Sequence, residues 1–389
     1  MRVFYPIISP LVLMTFFTCS AVAETSPMDN WELTGFGTIG YAQADKYEER
    51  TFRRNVYQDG RRLRDDPMLT DSRFGIQLNG ALTNQWEFSA QVLARHQLSS
   101  NPEDYIRFLF ARYHVNNEWQ ISLGRQALDL FFLSDHRDVG YSYDWVRPPT
   151  EFYGFTPYDS FDGFKVTREW GSFDSSWRWN ISVGNTKSKF ESGATVREEE
   201  NELVTAAPIY GTELSWRSNK WHLRANVALI NFKQEVDNEE SLRALMEQIN
   251  PIWPDFERVI DDFVADTVLR YAAIGASWES DGWKIQSELS LLDANFVNFN
   301  GERAYFHVAR RYQNWQPFVT LGYAHDSNNN RYRPPLPDTG LIPLFNDIIE
   351  EVMSFKHNQQ SVTLGVRWDF ARQKALKFQC DRVDRKSVV

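Results

Sequence analysis

Apolar and polar residues alternate along much of the chain from Trp31 onward. In residues 86–95, the apolar side chains of Trp86, Phe88 and Ala90 are separated by single polar residues. Successive side chains of a strand point to opposite faces, so this period of two predicts a β-strand with one apolar and one polar face. The pattern recurs and predicts about fifteen strands. They lie near residues 31–43, 70–80, 85–97, 103–115, 118–124, 161–168, 173–185, 209–217, 220–232, 267–279, 283–292, 302–311, 315–325, 357–370 and 374–384.

The connections between these strands alternate between short and long. Short turns fall near residues 82–84, 116–117, 170–171, 218–219, 280–282, 312–314 and 371–373. Long connections fall near residues 44–69, 125–160, 186–208, 233–266 and 326–356, with shorter ones near 98–102 and 293–301. In an antiparallel sheet this alternation places the long connections at one end. Barrels of the bacterial outer membrane have that asymmetry, so we predict an all-β fold, a transmembrane antiparallel β-barrel of about 16 strands.

Aromatic residues support the same fold. They cluster at the predicted strand ends, where the interfacial girdles of a membrane barrel would place them. The Trp residues at these ends are Trp31, Trp86, Trp119, Trp170, Trp216, Trp221, Trp278, Trp283, Trp315 and Trp368. Ordinary packing of aromatic residues between two sheets remains the alternative interpretation.

Residues 1–23 have the pattern of a secretory signal peptide. Arg2 precedes a mostly apolar run from Pro6 to Phe17, and Ala21 and Ala23 form a small-residue cleavage site. The apolar run is too short to span a membrane as a helix. We therefore expect export from the cytoplasm and a barrel formed by residues 24–389.

Composition and motifs narrow the function. The formal net charge of -10 argues against a nucleic-acid partner, because binding phosphates requires a basic surface. The 2 cysteines cannot form a thiolate metal site of four ligands. Gly35, Gly37 and Gly40 match GxGxxG, but they lie inside a predicted strand and not between a strand and a helix. Since neither HExxH nor GxSxG occurs, we expect no enzymatic activity, no metal and no cofactor.

Three segments resemble the Gram-negative outer-membrane porins of the sixteen-stranded, trimeric kind. They are the opening strand LTGFGTIGYAQ, the hairpin DSRFGIQLNGALTNQWEFSAQVLAR, and EWQISLGRQALDL before a long loop. The resemblance implies a homotrimer in the bacterial cell outer membrane, in contact with its lipid. It also implies passive diffusion of small hydrophilic solutes or ions, with no chemical step.

In that family the third external loop folds into the lumen, and its counterpart here is residues 125–160. The expected constriction charges are Arg125, Asp129, Asp135, His136, Arg137, Asp138, Asp144, Arg147 and Glu151. The polar phase of each strand separately predicts the pore-lining residues. These are Arg95, Arg107, Arg178, Arg217, Arg224, Lys284, Arg311, Arg367, Glu87, Glu213 and Glu288. The excess of bases among them predicts a weak anion preference, unless these arginines are paired with acids across strands.

One feature departs from the family. The fifteenth predicted strand, near residues 374–384, is followed by only a few residues, so a sixteenth strand and the family's terminal aromatic residue are missing. An open edge inside lipid would leave backbone groups unsatisfied. We expect either a truncated or frame-shifted tail, or closure by an additional strand near residues 44–69.

Other functions remain open at this stage. A barrel with a plugged lumen could be a non-conducting adhesin or receptor, and the mean hydropathy of -0.50 leaves room for a secreted, soluble β-rich binding protein. Residues 242–263 and 341–353 have helical spacing of apolar residues, which predicts amphipathic helices in two external loops that could form a partial lid.

Overall fold

The structure is a computed structural model in which one antiparallel sheet closes on itself as a barrel. It describes residues 14–17, 30–43, 54–55, 58, 66–97, 101–156, 160–191, 201–234, 267–294, 300–326 and 358–385. The predicted all-β barrel fold is confirmed. The two loop helices predicted at 242–263 and 341–353 lie outside the described residues. None of the helices within the described ranges is long and apolar enough to cross a membrane.

All fifteen predicted strands are present, and each pairs with its neighbour in sequence. They are β2 (Trp31–Gly40), β3 (Arg73–Ala81), β4 (Trp86–Arg95), β5 (Ile106–His114), β6 (Trp119–Ala127), β7 (Ser160–Gly171), β8 (Ser175–Glu191), β9 (Asn201–Ser218), β10 (Trp221–Gln234), β11 (Thr267–Ser280), β12 (Trp283–Asp293), β13 (Gly301–Arg310), β14 (Trp315–Asp326), β15 (Gln359–Ala371) and β16 (Lys374–Arg385). Two antiparallel strands can be joined by very few residues, so the short turns favour pairing of each strand with the next one along the chain.

The barrel closes through a short strand that the sequence analysis did not predict. This strand, β1 (Met14–Phe17), pairs with β2 on one side and with β16 on the other, and it makes the barrel sixteen-stranded. The sixteenth strand therefore comes from the segment predicted as a signal peptide. Residues 44–69, the alternative source, do not supply it, and of them the structure describes only 54–55, 58 and 66–69. Cleavage after Ala23 would remove β1 and leave the facing edges of β2 and β16 without it.

The two faces of the sheet differ in polarity, as the alternation predicts. Apolar side chains such as Val227, Ile274 and Leu291 are more than half exposed on the outer surface. Aromatic residues lie at the short-turn end, where Trp315 and Trp368 stack with ring centroids 5.1 Å apart. The inward phase carries polar and charged residues instead, so this barrel has its apolar surface outside.

The buried core lies in the lumen. Residues 128–159 connect β6 to β7, and the described part of this connection folds inside the barrel. Its apolar residues form one cluster with inward-facing residues of the wall, including Ile230, Tyr271 and Phe318. This lumenal loop, residues 128–156, includes a short helix, α1 (Thr150–Tyr153). The connection lies within the predicted bounds 125–160, since β6 continues to Ala127 and β7 begins at Ser160, and its role as a constriction stays a prediction.

Candidate functional site

The lumenal loop packs its aromatic residues against one side of the barrel wall. Phe131 lies at its centre, with ring centroids 5.5 Å from Phe152, 5.3 Å from Tyr153 and 6.2 Å from Tyr271 of β11. Trp145 is fully buried and meets Tyr305 of β13 edge to face at 5.8 Å. Aromatic contacts of this geometry stabilise a packed arrangement. The loop is therefore held in a defined position against strands β9 to β14.

Glu288 of β12 joins the two ends of the loop. Its carboxylate accepts the backbone N–H of Phe132 at 2.9 Å and the Tyr305 hydroxyl at 2.9 Å. It also accepts the hydroxyl of Tyr153 from α1. Burial and the nearby Glu288 carboxylate raise the pKa of Tyr153 well above its ordinary value, so this hydroxyl remains a donor. Predicted as a pore-lining residue, Glu288 is an anchor of the loop, exposed by only 2%.

Asp144 forms a second anchor on the same side. Lys284 Nζ and His307 Nε2 both lie 3.1 Å from Asp144 Oδ2, and Gln316 Nε2 donates to Oδ1 at 2.9 Å. Burial disfavours the charged carboxylate, but Lys284 and His307 outweigh this effect and hold the pKa of Asp144 well below its usual value. Next to it, Trp145 Nε1 donates to Thr320 Oγ1 at 2.8 Å. Three strands thus bind two consecutive loop residues.

Asp138 anchors the loop to the opposite side of the barrel. Arg95 Nη1 of β4 lies 3.1 Å from its carboxylate, and Arg107 Nε of β5 lies 3.3 Å away. Burial raises the cost of the charge, but the neighbouring arginines outweigh it and keep the pKa of Asp138 well below its ordinary value. The contacts on this side are ion pairs, whereas those near Phe131 are apolar.

Two cations near the barrel seam bind backbone carbonyl groups of the loop. Lys377 Nζ of β16 donates to the carbonyl oxygens of Gly140, Tyr143 and Trp145, and its side chain is fully buried. Arg367 Nη1 of β15 donates to the carbonyl oxygens of Tyr141 at 2.8 Å and Tyr143 at 3.1 Å. Irregular backbone inside a barrel needs such donors, because buried carbonyl groups without partners are costly.

The beginning and end of the loop are tied in the same way. Asp129 forms an ion pair with Lys165 of β7 at 2.8 Å, and its carbonyl oxygen accepts Arg224 Nη2 of β10 at 3.1 Å. Near the end, Arg147 Nη2 lies 2.6 Å from Asp71 Oδ2. Glu151 Oε1 accepts Gln359 Nε2 at 2.7 Å.

Glu151 also fits closely against the wall. A Cβ atom at Gly322 of β14 would lie 2.6 Å from Glu151 Oε2, so the loop approaches this strand more closely than a larger residue would allow. A larger residue at this position would force the Glu151 side chain and the neighbouring Ser361 Oγ, which would lie 2.5 Å away, to move.

The predicted pore-lining residues lie on the inward phase of their strands, or contact residues that do. Arg95, Arg107, Arg224, Lys284, Arg367 and Glu288 contact the loop directly. The others lie nearer the short-turn end, in cross-strand contacts: Glu87 with Arg112, Arg178 with Glu169, Glu213 with Arg224, and Arg311 with Asp369. Arg217 of β9 is exposed and lies opposite His222 of β10. Some of these charges are thus paired across strands, as the alternative expected, whereas Arg95, Arg107 and Lys284 are paired with aspartates of the loop.

One predicted constriction charge lies elsewhere. Arg125 belongs to β6, in the same phase as the exposed Ile121 and Leu123, and it pairs with Asp162 of β7 at 2.8 Å. Its assignment to the loop was wrong, because β6 continues to Ala127. The remaining predicted residues, Asp135, His136 and Arg137, lie on the loop between its anchors. Burial lowers the pKa of His136 despite the adjacent Asp135, so its imidazole is neutral at pH 7.

Sequence reasoning missed several residues that hold the loop. Arg73, His307 and Tyr305 were not selected, although each lies on the inward phase of a predicted strand. The alternating pattern could have predicted them, because a His or Tyr at an inward-facing position faces the lumen just as an Arg does. Arg54 had no such signal, because it lies in a long connection whose position depends on tertiary contacts.

The described residues offer no evident metal site. Within those ranges, no three His, Cys, Asp or Glu side chains come together in a way that could hold a metal ion. The arrangement suits electrostatic anchoring and the passage or exclusion of small polar species.

Comparisons with known proteins give only distant structural similarities. No protein-family model matches the chain, and no curated protein matches it. Among solved structures, it is similar to Salmonella typhi OmpF in complex with daunomycin, with 8% identity over 96% of this chain and 97% of that chain and a TM-score of 0.43. Pseudomonas putida OprB at high pH shows 7% identity over 96% and 92% of the two chains, with a TM-score of 0.42.

A third solved structure is the anion-selective porin from Comamonas acidovorans. It shows 9% identity over 97% of this chain and 100% of that chain, with a TM-score of 0.32. At these identities and TM-scores, the similarities carry no argument about function.

Replacing Glu288 by Ala should release both ends of the loop. Three hydrogen bonds to a buried carboxylate are lost, and each such bond contributes about 1.5–3 kcal/mol. We expect proteolytic cleavage within residues 128–156 to become at least about tenfold faster, measured by mass spectrometry of the folded barrel. Glu118→Ala is the matched control, because its side chain is 50% exposed and pairs with Arg168, which has no part in the anchors described above. Equal cleavage rates in the two variants would contradict the anchoring role of Glu288.

Acid should release the loop through its aspartates. The pKa values of Asp138 and Asp144 are lowered in the folded protein, so their stabilisation is fully present above the ordinary carboxyl pKa of about 4 and is lost as pH falls toward their folded values. We expect pepsin cleavage of the loop to accelerate below about pH 4 beyond the enzyme's own pH dependence, calibrated on an unstructured peptide. Asp138→Asn should flatten this profile, and an identical profile in wild type and variant would refute the assignment.

Proposed function

We propose that this protein is a porin of the bacterial outer membrane, exported by an N-terminal signal peptide whose cleavage removes β1, after which β2 and β16 pair directly and close the barrel. The apolar outer surface supports membrane insertion, since a closed barrel satisfies every strand's backbone groups inside lipid. The described strands place side chains such as Ile274 and Leu291 outward, 60% and 55% exposed. A water-soluble protein would bury such a band. The lipid of that membrane is accordingly its first partner.

The lumenal loop is the observation that carries the proposal. A long loop anchored inside a closed barrel narrows the lumen and brings charges into it, which suits passive diffusion of small hydrophilic solutes or ions. Its contacts with β9 to β14 are largely aromatic, whereas those with β4 and β5 are ion pairs with Asp138.

A second candidate is a non-conducting adhesin or receptor barrel. Inward residues are almost fully buried around the whole circumference: Thr38 0%, Arg73 2%, Arg107 4%, Ser182 7%, Asn226 4%, Ser290 0%, His307 0%, Thr363 6% and Lys377 0%. Such a belt of buried residues favours a plugged lumen. Measured conductance separates this candidate from the porin.

Selectivity and assembly belong to the same proposal. The inward arginines and lysines give a weak anion preference, reduced by the carboxylates paired with them. We propose a homotrimer, as the resemblance of the opening strands to trimeric porins implies. We propose that the pore-lining and constriction residues named above affect permeation by setting the position of the loop.

Conductance in a planar bilayer tests the porin assignment. The wild-type protein should give small, stable steps in KCl, with a reversal potential that leans toward anions. Asp138→Ala removes the carboxylate that holds the loop to Arg95 and Arg107, so the conductance should rise at least about twofold. Arg147→Ala should shift it in the same direction. Asp293→Ala, on the exposed outer phase, is the control. Silence from folded wild type and both anchor variants would establish the non-conducting candidate.

Insertion of a charge into the outer band tests membrane spanning. Ile274 lies in the middle of β11, between Ala225 and Leu289 on the adjoining strands. Ile274→Lys should lower the free energy of unfolding from phosphatidylcholine vesicles by about 2–4 kcal/mol, because the charge faces hydrocarbon. Arg270→Lys, a conservative change in the same phase near the loop end, should have little effect. Equal unfolding midpoints in urea for both variants would contradict a membrane-spanning β11.

A further inference from the structure

Two arginines meet on one oxygen atom where the lumenal loop contacts the long connection between β2 and β3. Arg54 Nη2 and Arg73 Nη2 both donate to Tyr143 Oη, at 2.7 and 2.6 Å. The Tyr143 hydroxyl itself lies 3.1 Å from the carbonyl oxygen of Arg137 and donates to it. Arg54 is 8% exposed and Arg73 only 2%. Two guanidinium groups are therefore buried side by side.

Negative charge close to this pair is scarce among the described residues. Asp71 lies 3.6 Å from Arg54 Nη1, but its closer partner is Arg147 at 2.6 Å. Arg73 donates to the carbonyl oxygens of Asp138 and Asp71 at 2.6 and 2.8 Å, and it forms no ion pair in the described part of the chain. Buried like charges are costly unless a counter-charge lies between them. Asp138 is the other carboxylate that acts on the pair, and it is shared with Arg95 and Arg107. Two carboxylates thus serve five arginines, fewer negative charges than these guanidinium groups require.

Within the described ranges, several buried polar atoms on the pair and on residues next to it in sequence or in strand pairing have no hydrogen-bond partner. They are Arg54 Nη1, the Thr38 hydroxyl, both amide atoms of Asn55 and the Thr70 hydroxyl. Thr38 is 0% exposed, and Asn55 and Thr70 are each 1% exposed. Asn55 adjoins Arg54, Thr70 adjoins Asp71, and Thr38 is the Cα partner of Arg73. Because buried polar groups are nearly always hydrogen-bonded, this concentration of orphan atoms points to a bound species.

We propose that this cluster, Arg54, Arg73, Tyr143, Thr38, Asn55 and Thr70, binds one small oxyanion such as phosphate, sulfate or a carboxylate. Guanidinium groups recognise planar and tetrahedral oxyanions through paired N–H donors, and hydroxyl and amide groups add neutral donors. Water could satisfy the orphan atoms but would supply no counter-charge. The anion holds the loop to the β2–β3 connection, so the site goes beyond the proposed function and requires no conduction.

Calorimetric titration of inorganic phosphate into the full chain in detergent tests the site. Ionic strength is held constant with NaCl, and folding is verified by the heat-modifiable band on gels. The wild type should bind one phosphate per chain. Arg54→Gln should weaken binding at least about tenfold, since it removes a charge-assisted contact. Arg112→Gln, an inner-wall arginine near the short turns paired with Glu87, should bind as the wild type does.

A second pair of variants covers failure of Arg54→Gln to fold. Thr38→Val and Thr70→Val remove an orphan hydroxyl at nearly constant volume and charge, and each should weaken phosphate binding severalfold. Sulfate and acetate titrations then rank the oxyanion classes. Absence of binding by all three anions, or equal affinity in wild type, Thr38→Val and Thr70→Val, would overturn the proposal. These binding measurements do not depend on conductance. A negative result would therefore refute the anion site without refuting the porin assignment.

Discussion

The hydrogen-bonding demand of the loop backbone governs the interior of this barrel. A loop without regular secondary structure brings unpaired carbonyl and N–H groups into the lumen, and these groups need partners there. The inward phase of the strands supplies them: Lys377 binds three loop carbonyl groups, Arg367 binds two, and Glu288 accepts a loop N–H. Inner-wall charges that would otherwise face water are used to hold the loop.

This use of charge changes the meaning of the inner arginines. A cation facing an open pore attracts anions, whereas a cation bound to a loop carboxylate acts through the position of the loop. Arg95 and Arg107 belong to the second kind, because both form ion pairs with Asp138 of the loop. On the far side, rings of Phe131 and Trp145 exclude water from the contacts of Glu288 and Asp144. The loop is thus held by ion pairs on the side of β4 and β5, and by aromatic packing together with the buried polar contacts of Glu288 and Asp144 on the side of β12 to β14.

The strands could be predicted from the sequence because alternation is a local property. A few alternating residues such as Trp86 and Phe88 are enough to indicate a strand and to tell which of its side chains face inward. All fifteen strands from Trp31 onward, and their inward-facing positions, could therefore be predicted. The ends were less certain, since Arg125 continues β6 and not the loop. The closing strand Met14–Phe17 was missed, because its apolar run is also typical of a signal peptide.

The loop's contacts could not be predicted in the same way. Asp144 and His307 are far apart in sequence, and nothing local to either residue indicates the other. Glu288 and Arg224 were placed correctly on the inner face, but whether such a residue faces solvent or a packed loop depends on where residues 128–156 settle. Arg54 and Asn55 could not be predicted either, because the connection that contains them has no periodic pattern of apolar residues.

The wide sequence separation of these anchors also sets an order of assembly. Phe132 and Glu288 are 156 residues apart, and Gly140 and Lys377 are 237 apart. Contacts between such distant residues form slowly, because a long stretch of chain must first be ordered. The strands that carry the anchors extend to β16, so the loop reaches its final position only after almost the entire chain has been inserted. On the proposed porin function, a newly formed barrel would therefore conduct more before the loop docks than after it, and the rate of docking would set how long that state lasts.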